Sequence, residues 1–110
     1  MAKLERSFCD ADFDQLLQMI EKGICDTSVS SSLEESSDFR CGESRCSVRV
    51  FERYSYAGGN RVSMNVTLFQ GGDGVIHLSG ITSGGSQATF FKLNTWGEKS
   101  FLDKLREILE

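Results

Sequence analysis

The stretch from Arg45 to Phe69, RCSVRVFERYSYAGGNRVSMNVTLF, constrains this chain more than any other. Two runs rich in β-branched and aromatic residues flank a Gly-Gly-Asn turn, the pattern of a long β-hairpin. On the first run Cys46, Val48, Val50, Tyr54 and Tyr56 occupy even positions; on the second so do Val62, Met64, Val66 and Leu68. Strand side chains alternate with a period of two, so loop length decides which sets share a face. A two- or four-residue loop pairs even with odd and puts Phe51 and Arg53 on the face of Val66 and Met64. A three-residue loop, Gly58-Gly59-Asn60, pairs even with even and gives Asn60 the left-handed position it tolerates. The alternation favours the three-residue loop. The same logic at Gly72-Asp73-Gly74 pairs Leu68 with Leu78 and Val66 with Gly80.

The flanking sequence supplies the other elements. Residues 2–8 alternate as a short strand. Asp12 with Gln15 is a capping-box pattern. Phe13, Leu16, Leu17, Ile20 and Ile24 form one apolar stripe, which predicts a helix from about 12 to 22, stopped by Gly23. The serine-rich stretch 26–40 reads as an edge strand, since serine and acidic residues blunt edge pairing. A loop at Ser83-Gly84-Gly85-Ser86 leads to an expected strand over 87–93. Thr95 with Glu98 gives a second capping box, before a stripe of Phe101, Leu102, Leu105, Ile108 and Leu109. The order is strand, helix, four or five antiparallel strands, helix; with the fifth counted it is β-α-β-β-β-β-β-α. The expectation is an α+β protein, residues 1–110 in a single domain, with one curved antiparallel sheet and both helices on its even-numbered face. TBP-like and helix-grip-like architectures share that outline.

At 110 residues, with 39% apolar and 25% charged, the composition is that of an ordinary globular domain. No run reaches the roughly 18 apolar residues that span a bilayer, so no membrane partner is expected. The N-terminal MAKLERSFCDADFD lacks the apolar stretch of a secretory signal, which points to a cytoplasmic location. Cys9, Cys25, Cys41 and Cys46 include no CxxC and are accompanied by a single histidine. Free thiols in or near the core are therefore expected, with no metal and no cofactor. A net charge of −4 makes nucleic acid an unlikely partner, despite five arginines between Arg40 and Arg61.

Three features are candidates for chemistry. The glycine loops join strand to strand, whereas a phosphate cradle leads from strand to helix, so they read as hairpin turns. Glu52 falls, in the even–even register, on the apolar face. A strand bend, a bulge or a position beyond the helices would return it to water, which is the favoured reading; otherwise Tyr54 and Tyr56 would line a cavity with it. No second carboxylate or histidine completes a catalytic pair there, which argues against an enzyme. The odd-numbered face carries the rows Arg49, Phe69, His77 and Leu93; Phe51, Thr67, Ser79 and Phe91; and Arg53, Asn65, Ile81 and Thr89. Arginine, phenylalanine and small hydroxyls together resemble an interface centre.

The segments CSVRVFERYSYAGGNRVSMNVTL, ITSGGSQATFFKLNTWGE and FLDKLREILE resemble a family of small uncharacterised proteins from Gram-positive bacteria, a domain of unknown function. The resemblance covers nearly the whole chain, and VRVFERYSYAGGNRVS and SGGSQA are its distinctive pieces. It implies a free-standing cytoplasmic bacterial domain and assigns no catalytic or binding residue.

The expected function is a non-enzymatic binding or self-association module. Its odd sheet face would dock a second copy or another protein through Arg49, Phe51, Arg53, Asn65, Phe69, His77 and Phe91. The alternative is a helix-grip carrier or enzyme with an apolar ligand between sheet and C-terminal helix, lined by Glu52, Tyr54 and Tyr56.

Overall fold

The computed structural model describes residues 1–55, 60–84 and 91–110, with 55, 60 and 91–96 described by their backbone. Strand β1 (Ala2–Phe8) is followed by helix α1 (Phe13–Asp26). Strands β2 (Ser31–Cys41), β3 (Ser44–Ser55), β4 (Asn60–Gln70) and β5 (Ile76–Gly84) come next, and helix α2 (Phe91–Leu109) ends the chain. The strands form one antiparallel sheet in the order β1-β5-β4-β3-β2. Thus α1 carries the chain from one edge of the sheet to the other, and a meander of hairpins brings it back beside β1. This is the expected α+β class, with strand, helix, strands and helix in the expected order.

Helix α1 begins as its cap predicts: the Asp12 carboxylate accepts from Gln15 N–H at 3.0 Å. Its stripe of Phe13, Leu16, Leu17, Ile20 and Ile24 is buried against the sheet. The helix runs through Gly23 to Asp26, where the Thr27 hydroxyl donates to the Ile24 carbonyl at 2.7 Å. Gly23 does not stop it, because its missing side chain serves packing. A Cβ there would lie 2.6 Å from Ile108 Cδ1, so glycine lets α2 lie close against α1. Strand β2 is the edge strand the serines and acids suggest, with a bulge between Leu33 and Glu35. It turns into β3 through Gly42 and Glu43, with Gly42 at φ 59°. A positive φ at the first central residue alone is the II′ pattern, which glycine adopts at no steric cost.

The β3–β4 register departs from the three-residue expectation. Ser55 pairs with Asn60 and Phe51 with Met64, so residues 56–59 make the connection. Even therefore meets odd. The β4–β5 register is the expected one, Leu68 with Leu78 and Val66 with Gly80. The helices cover even residues of β1, β4 and β5 but odd residues of β3. Phe51, fully buried and paired with Met64, belongs to the same core cluster as Val66, Leu68 and Phe101. Alternation within β3 misleads because Arg49 and Arg53 can lie inward when the helices supply their partners.

Residues 91–93 of the strand expected over 87–93 belong to α2, and 87–90 lie outside the described residues. The helix starts before Thr95, so the expected second capping box does not begin it. Glu98 instead is buried and accepts the Gly84 N–H at 3.0 Å. Beside it, the Thr82 hydroxyl donates to the Glu98 carbonyl at 3.1 Å and fixes α2 on β5. Phe101, Leu102 and Leu105 complete the core. No described helix is long and apolar enough to cross a membrane.

Candidate functional site

The helix-covered face of β3 is a polar clamp built into an apolar core. Arg49, nearly fully buried, donates from Nε to Glu21 of α1 at 2.6 Å. It also reaches the Asp38 carboxylate at 3.1 Å and the carbonyls of Ser37 and Val48 at 3.3 and 3.0 Å. The Ser47 hydroxyl donates to Asp38 at 2.6 Å. Burial disfavours the Arg49 charge, but the hydrogen bonds to Glu21 and Asp38 and both carboxylate charges outweigh it, so its pKa is raised. Four residues earlier on β3, Arg45 holds Asp14 with two nitrogens, at 2.9 and 3.3 Å, and lies 3.9 Å above the Phe13 ring. Asp14 and Glu21 are two helical turns apart, and Arg45 and Arg49 share one strand face, so the two pairs pin α1 along β3. Arg53 donates to the Gly97 carbonyl at 3.3 Å and sits 4.8 Å over the Phe101 ring; its burial lowers its pKa.

The clamp has a pH signature. The Ser47 hydroxyl, and then Arg49, hold the Asp38 carboxyl below its usual range; the Arg45 hydrogen bond does the same for Asp14. Both pKa values are lower folded than unfolded, where a carboxyl titrates near about 3.9. Between the two values the unfolded chain binds more protons, so stability is present above about pH 4 and is lost as pH falls through the folded values. Urea unfolding followed from about pH 5 to about pH 2 should show that loss, with a shallower slope for Asp38→Asn. Equal slopes for the two proteins would refute the assignment.

The opposite face of the sheet has no described element over it. Its rows follow from the pairings. Ser7, His77, Phe69, Cys46 and Phe39 form one; Glu5, Ser79, Thr67, Val48 and Ser37 the next; Lys3, Ile81, Asn65, Val50 and Glu35 the third. Phe69 is 45% and Ile81 39% exposed, and Phe39 is 62% exposed. Hydroxyls and one amide interleave with these apolar groups, and within these three rows charge appears only on the edge strands, at Lys3, Glu5 and Glu35. The Thr67 hydroxyl donates to Asn65 Oδ1 at 3.0 Å, and Ser7 Oγ lies 2.9 Å from His77 Nδ1. At one corner Phe39, Cys41, Cys46 and Phe69 border a shallow recess of about 110 Å³.

Of the residues expected on the docking face, Asn65, Phe69 and His77 are there. Arg49, Phe51 and Arg53 are not: the one-residue change of register turns them under the helices. Phe91 opens α2, and its side chain lies outside the description. The change of register also moves Glu52 and Tyr54. Glu52 faces the open side, paired with Arg61 at 2.8 Å and accepting from Ser63, and Tyr54 is exposed beneath the Arg61 guanidinium. Neither lines a space under α2, and Tyr56 lies outside the described residues. Val48, Val50, Cys46 and Phe39 were missed as face residues. The Gly42-Glu43 turn was the available signal, since it pairs Phe39 with Cys46. The four cysteines are free thiols, but Cys9 and Cys41 are exposed rather than buried.

A five-stranded antiparallel sheet backed by two helices, with its other face open among the described residues, defines an α+β domain of open-faced type. The chain belongs to DUF6054, a family of unknown function, whose profile matches residues 1–110. No curated protein and no solved structure matches it.

Proposed function

We propose that this protein is a non-enzymatic binding module that docks a protein surface on its open sheet face. One observation carries the reading: the centre of that face is uncharged and partly apolar, while its charges lie around it, at Lys3, Glu5 and Glu35 on the edge strands and in the Glu52–Arg61 pair toward one end of β3 and β4. Interface centres have this composition, with charge depleted and aromatic residues enriched. Phe39, Cys46 and Phe69 also stand side by side in one row of that face, and clustered exposed apolar groups mark interaction sites. The docking residues are Val48, Val50, Asn65, Thr67, Phe69 and Ile81, with His77 and Cys46 beside them. A cytoplasmic setting in Gram-positive bacteria accompanies this proposal, supported by the sequence resemblance and by four cysteines present as thiols.

A photoreactive phenylalanine analogue placed at position 69 tests it in living cells. Adducts with protein are expected from position 69 and not from position 100, an exposed site on α2. No adduct from position 69, or equal yields from both, would end the proposal.

A further inference from the structure

We propose that the surface docked on the open face is that of a second copy of this chain, related by a two-fold axis along β4 between two facing sheets. This rests on reading the face as a docking surface and adds its occupant. The row of Lys3, Ile81, Asn65, Val50 and Glu35 carries the argument. These are consecutive cross-strand partners running from one edge of the sheet to the other. Strand β4 is the middle of the five, so a two-fold along it exchanges the edges. Lys3 of each copy then faces Glu35 of the other, and both ends of the row are matched in charge.

A two-fold across the strands fails this comparison. Centred on the neighbouring row, it keeps each edge over itself, sets Glu5 against its own counterpart, and lays Phe69 over Asn65. Glu5, held by Lys3 of its own chain at 3.6 Å, would face a like charge, Lys3 and Glu35 would find no opposite charge across the interface, and the ring would cover an amide. Along β4, by contrast, Asn65, Thr67 and Phe69 each meet themselves. An amide that both donates and accepts, a hydroxyl, and an offset pair of rings all self-associate. Arg61, farther along the same strand, also meets its own counterpart, with its charge matched by Glu52 of its own chain at 2.8 Å.

The area is adequate. Five strands at about 4.8 Å and nine paired residues at about 3.3 Å give a face of about 700 Å². A stable interface buries about 800 Å² of accessible surface on each partner, and a flat estimate understates that quantity. Two such sheets stacked face to face, with strands near-aligned, form a sandwich of the ordinary kind.

Sedimentation equilibrium of the purified full chain tests the proposal. The wild type is expected at twice its 12.2 kDa chain mass at high micromolar concentration. Lys3→Glu and Glu35→Lys, each reversing two symmetry-related contacts, should weaken the dimer about tenfold, and the double exchange should restore it. Phe69→Asp should be monomeric with an unchanged circular dichroism spectrum. A monomeric wild type overturns the proposal, and so does a double exchange that fails to restore the dimer. If the position-69 adduct is another protein while the wild type is monomeric, the docking face stands and the second copy falls. If position 69 yields no adduct, the docking reading falls as well.

Discussion

Phe51→Ala is expected to lower the free energy of unfolding by about 3–5 kcal/mol, the cost of deleting a phenyl ring from a closed core. A domain of this size has about 5–15 kcal/mol in total, so the loss is a large part of it. The melting temperature should fall by about 10–20 °C. The ring is fully buried, paired across the sheet with Met64 and packed beneath the helices. Phe69→Ala, on the open face of the next strand, should cost under about 1 kcal/mol in the monomer. Urea midpoints for the two variants decide the register directly. In an even–even register Phe51 would share a face with Phe69, and the two substitutions would cost about the same.

Arg49→Ala should cost about 2–3 kcal/mol. Breaking a buried ion pair by removing one partner costs roughly 3–5 kcal/mol. The figure is smaller here because Asp38 and Glu21 keep contact with water, their side chains being 61% and 31% exposed. Part of the loss is packing, since the arginine stem fills space under α1. Glu21→Ala should cost less, because the guanidinium it abandons still holds Asp38. The double-mutant cycle between Glu21 and Arg49 should return a coupling of about 1–2 kcal/mol. A coupling near zero would mean that α1 is held by its apolar stripe alone. The clamp also bears on the open face. Fixing the inward side chains of β3 fixes the strand's pleat, and so the spacing of Val48 and Val50 on the other side.

The helices were legible because a helix announces its buried face locally. Asp12 and the stripe from Phe13 to Ile24 needed nothing from elsewhere in the chain. The β4–β5 register was legible for a similar reason: both strands keep their apolar residues on even positions, and the glycine turn allows them to meet. Where α2 begins was not legible. Thr95 and Glu98 look like a cap, yet Glu98 is engaged by the Gly84 amide, a partner on a strand that sequence spacing cannot point to. The candidate site was half legible. Asn65, Phe69 and His77 lie on strands whose parity was read correctly, whereas Arg49, Phe51 and Arg53 were assigned with β3 turned over.

The sequence by itself determined the class of fold, the order of its elements, and which residues of β1, β4 and β5 face inward. Only the tertiary structure decided which way β3 faces. The reason is energetic. Within the hairpin, burying Cys46, Val48 and Val50 looks better than burying Arg49 and Arg53. Glu21, Asp38, the Gly97 carbonyl and the Phe101 ring reverse that balance, and each comes from outside the hairpin. A charge is costly to bury until its partners arrive. With the arginines accommodated under the helices, the valines turn outward, and the stretch from Arg45 to Phe69 presents the open face.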